Sequence, residues 1–181
     1  MQAAEILDAP LDETEQAVYP LRLGGVIILI GMGIGLFING IGGLVSPRFY
    51  EVALHLPGGA SYPRILLQGV LEGALNGMIF ALIYGMAYQL FTRNGANWSF
   101  LFKELKLVVL GVLACWIIGG MVGLIMEWSK SDVVIYPPMS IVSLEKDYGF
   151  AWVGSSILGA QVGGVVMALI GAIRLWRRKK S

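Results

Sequence analysis

Four stretches of this chain are apolar for the length of a bilayer crossing, and that restricts its folds more than any other feature. A helix needs about 20 consecutive apolar residues to span the hydrocarbon core. Residues 23–45, 107–126 and 151–173 meet the requirement without a charge, and residues 65–91 meet it with one, Glu72. All seven prolines (Pro10, Pro20, Pro47, Pro57, Pro63, Pro137 and Pro138) fall outside these stretches, as uninterrupted helices require. The pattern predicts an all-α integral membrane protein built as a four-transmembrane-helix bundle.

Composition agrees. The chain is 56% hydrophobic and 14% charged, against about 25% charged in soluble domains. That excludes a soluble domain and a disordered chain. A net charge of +1 and a single Cys exclude a basic nucleic-acid-binding module and a disulfide-stapled secreted domain.

Residues 1–20 carry Glu5, Asp8, Asp12, Glu13 and Glu15, which is unlike a cleaved signal peptide and predicts an acidic cytoplasmic tail. Asp12 and Glu15 resemble a capping box, predicting a short helix over residues 13–19. Residues 21–176 then form the transmembrane domain and residues 177–181 a basic cytoplasmic tail. With four crossings, Arg22, Arg93, Lys103, Lys106, Arg174, Arg177, Arg178, Lys179 and Lys180 share one side, and Arg48, Arg64, Lys130 and Lys146 the other. The bias predicts both termini in the cytoplasm of a cell (inner or plasma) membrane, with the basic end drawn to anionic lipid. Trp128, Trp152, Tyr50, Tyr62 and Tyr148 on the outer side, with Trp176, Tyr19 and Tyr88 on the inner, fit interfacial belts. The sequon at Asn97 lies on the cytoplasmic side and reads as chance.

In the first outer loop, Ser46-Pro47 opens and Leu56-Pro57-Gly58-Gly59 closes a short helix with Phe49, Val52, Ala53 and Leu56 at helical spacing, predicting an interfacial helix. Its polar side carries Arg48, Glu51 and His55. Glu51 and His55 are one turn apart and could begin acid/base chemistry or a metal site, but with one His in the chain a solvated face is expected instead. In the second outer loop, residues 133–136 and 139–144 flank Pro137-Pro138 and predict a small hairpin or cap, with Asp132, Glu145 and Asp147 solvated around it.

Within the bilayer, close helix packing depends on small side chains. Small residues recur every fourth position: Gly31, Gly35, Asn39 and Gly43; Gly69, Gly73, Gly77, Ala81 and Gly85; Gly111, Cys115, Gly119 and Gly123; Ser156, Ala160, Gly164, Ala168 and Ala172. The stripes predict a tight bundle with surplus surface for a partner or second copy. Gly73-Ala74 with Gly77 resembles Gly159-Ala160 with Gly163, and Leu21-Arg22-Leu23 resembles Leu105-Lys106-Leu107, which suggests two tandem helical hairpins in parallel repeat.

Glu72 is the one carboxylate well inside an apolar stretch. Gln68 and Asn76 lie one turn to either side, and Phe80, Tyr84 and Tyr88 continue the face. An intramembrane acid is costly and faces the bundle interior, a partner or a cavity. Gln68, Glu72 and Asn76, joined by Asn39 and Gln161 from other helices, therefore form the candidate polar site, able to bind a proton or cation or to fix register by hydrogen bonding. Catalytic, metal and cofactor motifs are absent. The first functional expectation is a non-enzymatic subunit, scaffold or assembly partner, in a membrane complex or as a homo-oligomer, and not bound to nucleic acid. The alternative is a small proton- or cation-linked transporter or channel centred on Glu72.

Overall fold

The computed structural model describes residues 13–53, 60–91, 98–129 and 147–178. They form five α-helices: α1 (Glu13–Val45), α2 (Pro47–Ala53), α3 (Tyr62–Phe91), α4 (Trp98–Trp128) and α5 (Tyr148–Arg178). The four long ones are each long and apolar enough to cross a membrane. Helix α3 is the least apolar, with a mean hydropathy of 1.6 against 2.0 to 2.5 in the other three, because it carries Gln68, Glu72 and Asn76. Leu29, Leu82, Ile118 and Val165 are more than half exposed on the outside of the bundle. Water would penalise such a surface, whereas lipid solvates it.

The helices outrun the apolar stretches. The short helix expected over residues 13–19 is not separate, since α1 begins at Glu13 and runs on through Pro20. Proline removes one backbone donor there, and the apolar run that follows carries the helix onward. Pro47 opens α2 and Pro63 lies in the first turn of α3, where a missing N–H leaves no bond unmade. Asp147, expected to be solvated, caps α5: its Oδ1 accepts from the Phe150 N–H at 2.9 Å, three residues into the helix start. Its own N–H donates to Glu127 Oε1 at 3.1 Å, tying the start of α5 to the end of α4. Asp12, His55, Asn97, residues 130–146 with their expected hairpin, and Lys179-Lys180 lie outside the described residues.

Helix α1 packs along α3, and α4 along α5. The first pair meets at its glycines. A Cβ added to Gly31 would lie 2.9 Å from Gly77 Cα, and one on Gly35 would lie 2.9 Å from Gly73 Cα. The second pair crosses in the same way, a Cβ on Gly119 falling 2.9 Å from Gly159 Cα. At such approach there is room for hydrogen and nothing larger. Gly123 meets Ala151 and Ser155, and Gly111 meets the side chain of Met167. Gly85 and Gly164 have no neighbour within 4 Å of an added Cβ. The stripes on α1, α3 and α4 are thus largely consumed inside the chain.

The two pairs touch chiefly through α3 and α5. At the end carrying the termini, Leu23, Ile27, Tyr84, Ala87, Tyr88, Leu101, Leu105 and Leu175 form one buried cluster. At the opposite, loop-bearing end, Phe49, Tyr50, Ile65 and Val153 form another. Phe49 and Tyr50 belong to α2, so this helix covers the end of the bundle with its aromatic side. Tyr50, expected in an interfacial belt, is 2% exposed, because Gly42 leaves space for its ring in the bundle.

Candidate functional site

The α1 stripe is interrupted at Asn39, between Gly35 and Gly43, and this irregularity builds the site. Where Gly31 and Gly35 give α3 bare backbone, Asn39 lays its side chain over Gly69, whose added Cβ would come within 2.7 Å of Asn39 Cβ. The amide is 3% exposed. Its Nδ2 donates to Gly35 O at 3.1 Å and, at 3.5 Å, reaches Glu72 Oε2. Two acceptors facing Nδ2 define which way the amide points. Its Oδ1 is then turned away and buried with no hydrogen-bond partner.

Glu72 lies one residue before Gly73 on α3, about 100° around the helix from the packed glycine face, and it faces the middle of the bundle. Gln68 Nε2 donates to Glu72 Oε1 at 2.7 Å, so each carboxylate oxygen accepts from one side-chain amide. Glu72 makes no ion pair with any described residue. Tyr50 steadies the site from above. Its hydroxyl donates to the Asn39 carbonyl at 3.4 Å, and the Tyr62 hydroxyl donates to the next carbonyl, Gly40, at 3.2 Å. Burial, reinforced by the negative charge of Glu72, pushes the Tyr50 phenol far above its ordinary pKa, so it remains a donor.

Glu72, Asn39, Asn76 and Gln161 all line one cavity of about 440 Å³ between the two helix pairs. Gln68 stands behind Glu72 and is not part of the wall. The remaining wall is aliphatic and aromatic, including Ile27, Ile34, Ile38 and Phe80 on one side and Val108, Val112 and Ala168 on the other. Gly164, expected in a packing stripe, lines this cavity with no neighbour within 4 Å of an added Cβ, and Ala160 lines it while also packing against the Val108, Val112 and Met167 cluster. The exposed members of the wall are Asn76, Ile79 and Ile83 on α3 and Gln161 and Val165 on α5. The cavity therefore opens sideways between α3 and α5, with one amide on each lip. Neither Asn76 nor Gln161 makes a side-chain hydrogen bond among the described residues.

A second polar feature closes the terminal end. Glu104, near the start of α4, is 3% exposed. Its Oε1 accepts from Arg174 Nη2 at 2.8 Å. Half of the Arg174 side chain remains exposed while its guanidinium joins α5 to α4. Glu104 Oε2 and the hydroxyl of Tyr84 are buried without partners. The ring of Tyr84 stacks on Phe80, at 5.4 Å between centroids, which links this end to the cavity wall. A residue pair separated by 70 positions leaves no local signal in the sequence.

Arg48 and Asp147 approach to 3.8 Å at the loop end, with both side chains substantially exposed, so this pair contributes little. Among the described residues no group of three His, Cys, Asp or Glu side chains could hold a metal ion. Comparison of the chain with protein-family models, with curated proteins and with solved structures finds no match in any of the three, so the chemistry of the cavity is the ground on which its function is argued.

Proposed function

We propose that this protein is a small, non-enzymatic membrane transporter or carrier in which Glu72 binds a proton or cation inside the cavity between two helical hairpins. The observation that carries the reading is the convergence of Glu72, Asn39, Asn76 and Gln161, from three helices, on one cavity in an otherwise apolar bundle. An intramembrane carboxylate without a basic partner is costly unless it is protonated or meets a cation, and both are functional states for a transport site. In this reading both termini are cytoplasmic, α2 lies at the outer interface and anionic lipid gathers at the basic end.

The hairpins are read as tandem copies. Gly35 meets Gly73 as Gly119 meets Gly159, and Gly77 faces Ile28 as Gly163 faces Val112. Each α1 position corresponds to the α4 position 84 residues later, and each α3 position to the α5 position 86 residues later. A parallel repeat with its site at the repeat interface supports the transport reading.

The test is reconstitution into proteoliposomes in which fluxes of protons, sodium and a labelled organic cation are each followed. Glu72-dependent flux is expected, lost in Glu72→Gln while the variant remains folded and correctly inserted. No flux, or flux unchanged by the substitution, refutes the reading. A second reading, a subunit or assembly partner, is supported by Gly85 and Gly33, whose faces have open space outside the bundle. Native mass spectrometry after gentle extraction, finding a stoichiometric partner or a second copy lost on Gly85→Leu, would favour it.

A further inference from the structure

Resting on the reading of the Glu72 cavity as a binding site, we propose that its ligand is a protonated primary or secondary amine on an apolar body, taken from the bilayer between α3 and α5. Four features specify the parts of that description.

The charge comes from Glu72, an acceptor that forms no ion pair among the described residues. The need for N–H donors comes from the carboxylate itself and from Asn76 and Gln161, which line the same cavity and make no side-chain hydrogen bond among the described residues. An ammonium offers several N–H groups and one positive charge, and so can pair with the carboxylate while donating to an amide oxygen of the wall. A quaternary ammonium carries the charge without a donor. A bare proton would neutralise Glu72 but give nothing to the wall amides.

The apolar body follows from the walls. Apart from its few polar groups, the cavity is lined by Ile, Val, Phe and small residues, and its volume of about 440 Å³ is that of a pocket for an organic molecule. A metal cation would need a shell of oxygens that this wall does not supply. The route follows from the lips: Asn76 and Gln161 put unsatisfied amides at a lateral opening in the middle of apolar helices, where each unpaired polar group is costly. A polar headgroup passing between them would be hydrogen-bonded on the way in.

The experiment uses the full chain in lipid nanodiscs with tritiated 4-phenylbutylamine, its N,N,N-trimethyl derivative and 4-phenylbutanol, empty nanodiscs setting the partition baseline. Saturable binding of the amine is expected, with the trimethyl compound and the alcohol each weaker by about tenfold or more, the effect of one charge-assisted hydrogen bond. Glu72→Gln should weaken the amine at least as much, and Glu72→Asp should restore part of it. Gln161→Ala should weaken the amine several-fold and leave the trimethyl compound unchanged. Equal binding of amine and trimethyl compound, or amine binding indifferent to Glu72→Gln in a monodisperse variant, overturns the proposal. Absence of saturable amine binding together with a Glu72-dependent ion flux overturns the ligand class and leaves the transport site standing, whereas absence of both overturns the two together.

Discussion

The two helix pairs of this protein cross in the same way and differ in what they carry. In α1 and α3 the crossing ends in Asn39 and is flanked by Gln68, Glu72 and Asn76. At the positions of α4 and α5 that lie 84 and 86 residues further on stand Gly123, Gly154, Leu158 and Val162. The contacts that hold each pair together, Gly35 on Gly73 and Gly119 on Gly159, are alike, with added Cβ atoms at 2.9 Å from the facing Cα in both. Packing and chemistry have separated: backbone approach at glycine is kept on both sides, and polar chemistry is concentrated on one. The second pair contributes Gln161 and an aliphatic wall. A site at the boundary between a polar and an apolar half is lined unequally, and that asymmetry is what gives the cavity a charged end and a greasy end.

The comparison can be broken most forcefully at the crossings. Gly73→Leu and Gly159→Leu should each destabilise the bundle by about 3 kcal/mol or more, because the added side chain meets facing backbone that cannot move aside. Steric-trapping or detergent unfolding measurements that gave a large cost for one and none for the other would show that the two crossings are not equivalent.

The next largest effect belongs to the clamp between α4 and α5. Arg174→Ala leaves Glu104 buried and unpaired, and about 3 kcal/mol of stability should go, the low end for a broken buried pair because Arg174 is half exposed. The double variant Arg174→Leu with Glu104→Leu should recover much of that loss. If the single variant is neutral in the same unfolding assay, the pair does not hold the terminal end closed.

Glu72→Gln should have the opposite profile, costing less than about 1 kcal/mol in stability, since the new amide can accept from Asn39 through its oxygen and donate to Gln68 once the Gln68 amide turns over. A large loss of stability would make Glu72 a structural strut and dissolve the contrast between a packing half and a chemical half. The smallest effect is at Tyr50. Tyr50→Phe removes one long hydrogen bond to the Asn39 carbonyl, worth about 0.5–1 kcal/mol. Because the folded phenol titrates well above its unfolded value of about 10, the wild-type chain should also lose stability as pH rises past about 10, where only the unfolded state releases the proton. A Tyr50→Phe chain should show a shallower decline over that range.

Much of this was readable in one dimension. Gln68, Glu72 and Asn76 are spaced by four on a single helix, so periodicity alone puts them on one face. Asn39 and Gln161 stood out as polar residues in apolar stretches, where any polar group demands a reason. The small-residue series were equally visible, but not which members would meet: Gly35 and Gly73 do, while Gly164 faces the cavity and Gly85 faces outward. Contacts made at matching depth by residues far apart in the chain left no trace. Arg174 reads as one more cytoplasmic basic residue and Tyr50 as an interfacial aromatic, and nothing marks Glu104, because each is ordinary in its own neighbourhood and becomes special only beside its partner.

The amino-acid sequence by itself determined that four helices are apolar enough to cross a bilayer and that one carries a carboxylate in its interior. Length, hydropathy and the spacing of four are local properties, set by the rise and turn of a helix. The tertiary structure decided which helices pair, that Asn39 covers Gly69 and reaches Glu72, and that the two pairs stand apart enough to leave a cavity. Those outcomes depend on how closely two backbones can approach and on which side chain fills the remaining space, and that is a property of surfaces in contact.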